Sequence, residues 1–426
     1  MLRWNETPAL TSMRCTRAWV EINLEALAHN TRSIKSLLGA QTQLMSVVKA
    51  DAYGHGALTV ARTVLRSGAQ WLGVATVPEG IELRQAGIDV PILVMGAVNE
   101  PAEILATAYW QLQPTIVSPK QALIFSETLG ADQSWRSSYS NLGSFLPVHL
   151  KLDTGMSRLG FPWEKAVEFA QFVQQLPHVQ TASVYSHFAT ADSPDSSTMW
   201  KQHRRFEQAI ADLTQSNLRP PSIHLANSAA TLTDVSLHYD IVRVGLATYG
   251  LYPAPHLLSK VDLKPVLEVK ARVTHLKNVA AGEGVSYGHR FVAPKDMRIA
   301  VVGIGYADGV PRLLSNQLTV AITTNASKHS SNDSAVDSET YLASQLGAIT
   351  MDQMMLDASE IPHIQEGDVV TLLGSAGKHN LSADCWAQMS HTISWEILCG
   401  FKNRLPRITL NQPQLDKDSC EVSANI

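Results

Sequence analysis

No cysteine in this chain stands close to another. The four, Cys15, Cys385, Cys399 and Cys420, form no C-x-x-C pair, so neither a zinc site nor a disulfide framework is implied, and a reducing cytoplasm fits. No stretch approaches the ~18 consecutive apolar residues that a membrane span requires. Basic charge is not in excess: the net charge of −4 carries no nucleic-acid footprint. Residues 1–16 hold two arginines but no apolar segment, so they do not read as a secretory signal; they read as an extension, with Met13 an alternative start. What is present is ordinary globular composition, 45% apolar and 17% charged, over 426 residues, enough for two domains and a large core.

From Leu44 to Ile241 the chain alternates regularly. Apolar segments at Leu44–Lys49, Trp71–Thr76, Pro91–Gly96, Leu112–Val117, Val148–Leu152, Ala182–His187, Ser222–Leu225 and Ile241–Val244 are separated by helical stripes. Eight strands alternating with helices is the pattern of a (β/α)₈ TIM-type barrel, with a doubly wound open sheet as the competing reading. We place this α/β domain at 17–260. Beyond it the texture changes to short strands separated by Gly, Pro and Asp, at Val266–Val279, Ile299–Ile304, Leu318–Thr323, Gly347–Met351 and Asp368–Leu373, with one clear helix at Ser382–Leu398. This predicts a mostly β domain over 261–410. The polar tract 324–339 reads as a surface insertion, and 411–426 as a tail.

The unusual polar residues fall at strand ends. Lys49 ends the first strand; Lys151, Asp153 and Arg158 sit at and after the end of the fifth; His187 ends the sixth; Asn227 and Ser228 follow the seventh; Arg243 and Gly245 close the eighth. In a barrel of this kind the carboxyl ends of the strands carry the site, with phosphate bound near the last two loops. A buried lysine amine is driven toward its neutral, nucleophilic form and makes Schiff bases with carbonyl substrates or with pyridoxal phosphate. Ser228 at a helix start offers a hydroxyl and backbone N–H groups to an anion, although helix capping by Asn227 or Ser228 accounts for those residues equally well. Each residue alone has an ordinary structural explanation; their coincidence at one rim is what points to a site.

The stretch Val47-Val48-Lys49-Ala50-Asp51-Ala52-Tyr53-Gly54-His55-Gly56 resembles the cofactor-lysine signature of the alanine racemase family. The likeness extends through Lys151–Gly160, Ser186–Asp192, His224–Ala230, Arg243–Gly245 with Tyr249-Gly250, Val285–Gly288 and Met351–Gln353, and runs from about Arg17 to Ile408. It implies pyridoxal 5′-phosphate as cofactor, no metal, alanine as substrate, and D-alanine supply to a bacterial cell wall in the cytoplasm. By the same resemblance Lys49 would hold the cofactor and act as a base. Tyr53, Asn227, Ser228, Gly245 and Leu246 would surround its phosphate, and Arg243, linked to His187, would face its ring nitrogen. Arg158 would hold the substrate carboxylate, Lys151 corresponds to a position carbamylated in many members, and Tyr287 would be the second base. The resemblance places Tyr287, with Met351 and Asp352, at the site of a partner subunit, which requires a homodimer. Spacing alone would make Tyr287 a solvated turn residue after Gly282-Glu283-Gly284. Two departures stand out: Asn403 occupies a position where the family often has a tyrosine that touches the phosphate, and Trp395 stands where a tyrosine is common. A serine or broad-specificity racemase is the alternative reading. A decarboxylase on the same barrel is disfavoured by the absence of its C-terminal cysteine motif, and a non-catalytic cofactor carrier by the added β domain.

Overall fold

A computed structural model describes residues 17–139, 145–325 and 338–411. The chain divides into two compact units: residues 26–264, and residues 1–25 with 265–426.

The first unit is a parallel barrel. Its strands are Gln43–Val47, Trp71–Val74, Ile92–Ala97, Gln113–Ile116, Leu146–Asp153, Val179–Tyr185, Ser222–His224 and Ile241–Val244. They pair in sequence order, and the eighth returns to pair with the first. The ring closes between the seventh and eighth through Asp240 N–H to Ile223 O (3.2 Å) and Arg243 N–H to Ala226 O (3.0 Å). This is the expected barrel rather than the open sheet. Apolar residues such as Met45, Leu93 and Ile241 pack together as a fully buried cluster.

The boundaries differ from the sequence reading in one place that matters. Lys49 does not end the first strand, which stops at Val47. It opens a turn in which Ala50, Asp51, Ala52 and Tyr53 all have φ between 52° and 56°. Four successive non-glycine residues in the left-handed region are costly, roughly 1–2 kcal/mol each. Backbone and side-chain hydrogen bonds hold them: Ala50 N–H to Glu79 Oε1 (2.7 Å), Ala57 N–H to Asp51 Oδ1 (2.8 Å) and Ala52 N–H to Val48 O (2.9 Å).

The second unit is built on the long strand Leu267–Val279. A closed antiparallel circuit runs from it through Met297–Val302, Met354–Asp357, Ser338–Leu346, Thr319–Asn325 and Val369–Ala376 and back. The strand Ala18–Asn23, read from the sequence into the segment 17–260, pairs here instead, antiparallel to Leu267–Val279 and parallel to Arg407–Leu410. Gly347–Met351, expected as a strand, leaves the sheet: Gly347 has φ +70°, and a Cβ there would lie 2.5 Å from Val285 O. The helix expected over Ser382–Leu398 is two, Ala383–Met389 and Ser394–Gly400, broken where His391 turns left-handed (φ 53°). The insertion read at 324–339 begins and ends in paired strand, Thr324 opposite Glu339 and Asn325 opposite Ser338. Its middle lies outside the described residues, as do the extension 1–16 and the tail beyond Asn411. Among the described residues no helix is long and apolar enough to cross a membrane.

Candidate active site

The carboxyl ends of the barrel strands bring together most of the residues singled out. The fifth strand alternates, so His149 and Lys151 share its inward face, as do Ser183 and Tyr185 on the sixth. Lys151 is 5% exposed, and its Nζ lies 5.3 Å from the centre of the Tyr185 ring. Arg243 packs on the same ring at 5.1 Å. Tyr185 is fixed by a 2.7 Å hydrogen bond between its hydroxyl and Thr115 Oγ1, and burial pushes its phenol up to about 12.

Four cations face this space: Lys49, Lys151, Arg158 and Arg243. Burial first, then Arg243, Arg158 and Lys49, lower the Lys151 ammonium to about 8; Asp153 opposes them only weakly. So many positive groups against one carboxylate make a site for anions. His187 is held well below its ordinary value by burial and by the same cations, so it is neutral and accepts from Arg243 Nη2 at Nδ1 (3.1 Å). Arg243 also donates to Ser186 O (2.7 Å), Leu225 O (3.1 Å) and His224 Nδ1 (2.8 Å).

A cradle lies where the seventh and eighth strands end. Ser228 Oγ accepts from Gly245 N–H (3.0 Å) and Ala247 N–H (3.4 Å). Asn227 Oδ1 caps the short helix Ser228–Thr233 through Ala230 N–H (3.0 Å). Leu246 opens the buried turn Leu246–Tyr249. The Tyr53 hydroxyl reaches this cradle so closely that a Cβ on residue 245 would sit 2.5 Å from it. Tyr53 leans on Tyr249 (4.9 Å between ring centres), whose hydroxyl donates to Val47 O (2.8 Å). Arg158, exposed, is carried by a loop wound on Asp153 Oδ1, which accepts from the N–H groups of Gly155, Met156 and Ser157 at 2.9–3.1 Å.

Tyr287, Met351 and Asp352 lie in the second unit. Tyr287 is 70% exposed on a turn pinned by Ser286 Oγ to Ala348 O (2.7 Å). Met351-Asp352 is held by a cluster the sequence reading missed. The buried Asp308 takes two hydrogen bonds from Arg17 (2.9 and 2.7 Å) and lies 3.4 Å from Arg404 Nε, and Arg404 in turn donates to Asp352. Tyr306 and Ala307 donate from their backbone to Thr350 O and Met351 O (both 3.0 Å). The run Gly303-Ile304-Gly305-Tyr306-Ala307-Asp308-Gly309 was its available signal. Asn403 is exposed in a turn of the same unit. Also missed were His149, Ser183 and His224, buried polar residues inside the barrel.

Residues 22–253 match the family model "Alanine racemase, N-terminal domain" and residues 266–409 match "Alanine racemase, C-terminal domain". The chain is 61% identical over 392 residues to the alanine racemase of Nostoc sp., covering 92% of this chain and 95% of the relative. It is 55% identical to that of Synechocystis sp., covering 92% and 99%. Among solved structures it is similar to alanine racemase from Bacillus anthracis with bound L-Ala-P (31% identity, TM-score 0.81, 93% and 95% covered). It is also similar to that from a D-cycloserine-producing Streptomyces lavendulae (34%, TM-score 0.79, 96% and 98% covered).

Proposed function

The chain belongs to the alanine racemase family, and from that membership we propose a pyridoxal-phosphate-dependent interconversion of L- and D-alanine. It acts in the cytoplasm as a homodimer and supplies D-alanine for peptidoglycan. The alternative of a serine or broad-specificity racemase is not favoured, since the relatives at 61% and 55% identity are both alanine racemases.

The observation that carries the cofactor assignment is the Tyr53–Gly245–Ser228 cradle beside a cluster of cations. A side chain at 245 would fill it, the amides and hydroxyl suit a phosphate, and Lys49 supplies the amine. When bound, pyridoxal phosphate supplies an electron-withdrawing ring conjugated to the substrate nitrogen, which acidifies the Cα–H bond. Arg243 would face the ring nitrogen. A guanidinium carries donors only and cannot accept a proton, so Arg243 would leave that nitrogen unprotonated and moderate the electron withdrawal the ring would supply, which would restrain side reactions. Arg158 would grip the substrate carboxylate through its planar fork. Lys151, with its lowered pKa, would take up CO₂; the resulting anion would brace Arg158.

Racemisation needs proton exchange on both faces of Cα. Lys49 Nζ takes or returns the proton on one face. Tyr287 of a second copy serves the other, and its exposure in the single chain leaves it available to do so. For the opposite enantiomer the two roles reverse.

Pure protein supplied with pyridoxal phosphate and L-alanine should yield D-alanine by chiral chromatography; none formed would sink the reading. Tyr287→Phe should slow deuterium wash-in at Cα from one enantiomer far more than from the other. Equal losses would contradict two bases on opposite faces.

A further inference from the structure

Five side chains cross the barrel interior in one hydrogen-bonded file. Arg243 Nη1 is 2.8 Å from His224 Nδ1. His224 Nε2 is 2.9 Å from Ser183 Oγ, Ser183 Oγ is 2.5 Å from His149 Nδ1, and His149 Nε2 is 2.7 Å from Gln113 Oε1. His149, Ser183 and His224 are fully buried; only Gln113, at the far end, is half-buried.

Both ends of the file have fixed polarity, since a guanidinium only donates and an amide oxygen only accepts. The directions in between follow. Arg243 donates to His224 Nδ1, His224 Nε2–H to Ser183, Ser183 O–H to His149 Nδ1, and His149 Nε2–H to Gln113. Turning the Gln113 amide over would make both imidazoles donate to Ser183 and leave its hydroxyl hydrogen with no acceptor in the file. Protonating His224 at Nδ1 would set N–H against the N–H groups of Arg243. The file is therefore consistent only while both imidazoles are neutral, and burial drives both in that direction, His149 to about 3.

Packing alone does not call for this arrangement. Barrel interiors are ordinarily filled by branched aliphatic side chains, and apolar replacement of a fully paired polar set is often nearly neutral for stability. The feature the file serves is Arg243. Among the described residues no carboxylate lies within ion-pair distance of this buried cation. Its named acceptors are two carbonyl oxygens and two neutral imidazoles. Nothing charged holds the guanidinium plane; the Tyr185 ring against which it packs and the direction of those neutral acceptors do.

We propose that Ser183, backed by His149 and Gln113, is a positioning residue: Arg243 fixes the tautomer of His224, and Ser183, by accepting from His224 Nε2–H, fixes the direction in which that ring offers Nδ1 and thereby the plane Arg243 presents at the site. This rests on the racemase reading, which puts the cofactor ring opposite Arg243. The hydrogen bond itself is a property of the protein alone.

The test is ¹⁵N NMR of the histidine side chains in the full-length holoenzyme, with steady-state kinetics beside it. In the parent, His224 and His149 should each show a protonated Nε2 and a bare Nδ1, unchanged between about pH 5.5 and pH 9. Ser183→Ala should leave that tautomer in place, since Arg243 still donates to Nδ1, but move the His224 Nε2–H proton resonance upfield as its hydrogen bond is lost, and lower kcat about tenfold while moving KM for alanine less than about twofold. Ser183→Thr, which keeps the hydroxyl, should recover the resonance and kcat. Should Ser183→Ala not fold, Gln113→Met decides, with a smaller shift and a smaller fall in kcat. An unmoved His224 Nε2–H resonance or an unchanged kcat in the folded variant would overturn the proposal, as would mixed tautomers in the parent. Because the resonance is read without turnover, an inactive chain with the file intact would count against the racemase reading and leave the file standing.

Discussion

The phenol oxygen of Tyr53 occupies space that any side chain at position 245 would need: a Cβ built on Gly245 falls 2.5 Å from it, and the next nearest atom, Tyr53 Cζ, is 3.2 Å away. Gly245→Ala should therefore push Tyr53 out of the cradle or displace the amides bonded to Ser228. We expect affinity for pyridoxal phosphate, read by absorbance titration, to fall at least about tenfold. Adding Tyr53→Phe removes the clashing oxygen, so the double variant should lose less than the sum of the two singles. Strict additivity would show that the two positions do not share the site.

Glu79 joins the loop after the second strand to the turn that carries Lys49. Its carboxylate accepts from Ala50 N–H (2.7 Å), Ala75 N–H (2.7 Å) and Thr76 N–H (3.1 Å). Glu79→Ala should cost about 1–2 kcal/mol of stability, as other lost caps do, and should release the left-handed turn. The matching measurement is amide exchange at Ala50–Tyr53, which should quicken more than in the rest of the barrel. Uniform exchange would mean that the turn holds itself.

Carbamylation of Lys151 requires its neutral amine, whose fraction rises with pH toward about 8. With dissolved CO₂ held at the same concentration at both pH values, protein depleted of CO₂ should regain activity slowly at pH 6.5 and several-fold faster at pH 8. Intact mass should show the gain of one CO₂, absent in Lys151→Met. A depleted enzyme with full activity and unchanged KM for alanine would remove the anion from the account of Arg158.

His149, His187 and His224 are all held below their ordinary value by burial and by Arg243. A group protonated earlier in the unfolded chain than in the folded one favours unfolding as pH falls. Their neutral burial therefore stabilises the fold fully above about pH 6.5, and each histidine withdraws about 1.4 kcal/mol per pH unit below it. Thermal melts should show a steep loss from pH 6.5 to pH 5. His149→Gln should flatten that slope by about a third, and an unchanged slope would refute its burial as a neutral base.

The barrel was legible because each strand is a short apolar run between helical stripes, and the candidate site because charged and polar residues interrupt those runs at their ends. Lys151, Ser228 and Arg243 could be read this way. Lys49 was assigned to the strand because nothing in Ala50-Asp51-Ala52-Tyr53 announces a left-handed turn; glycine would have, and one of the bonds that hold the turn comes from Glu79, outside the segment. The file behind Arg243 did leave a mark, polar His149 and Ser183 inside the apolar strands read at Val148–Leu152 and Ala182–His187, to which the reading gave no role. In the second unit the alternation of Trp19–Asn23 was plain, but its partners, Leu267–Val279 and Arg407–Leu410, lie far along the chain, and period-two patterning does not say which edge a strand joins. The Gly347–Met351 run is apolar enough for a strand; its departure from the sheet begins at the left-handed Gly347 (φ +70°), beside Val285 O.

That early strand, lodged between Leu267–Val279 and Arg407–Leu410, bears on the order of synthesis. The barrel is one unbroken stretch and can collapse while the ribosome is still working. Ala18–Asn23, made before it, must wait with one edge bare until Leu267–Val279 is made and with the other bare until Arg407–Leu410 follows. A truncated product lacking Arg407–Leu410 would leave one of those edges permanently open, a ready seed for aggregation.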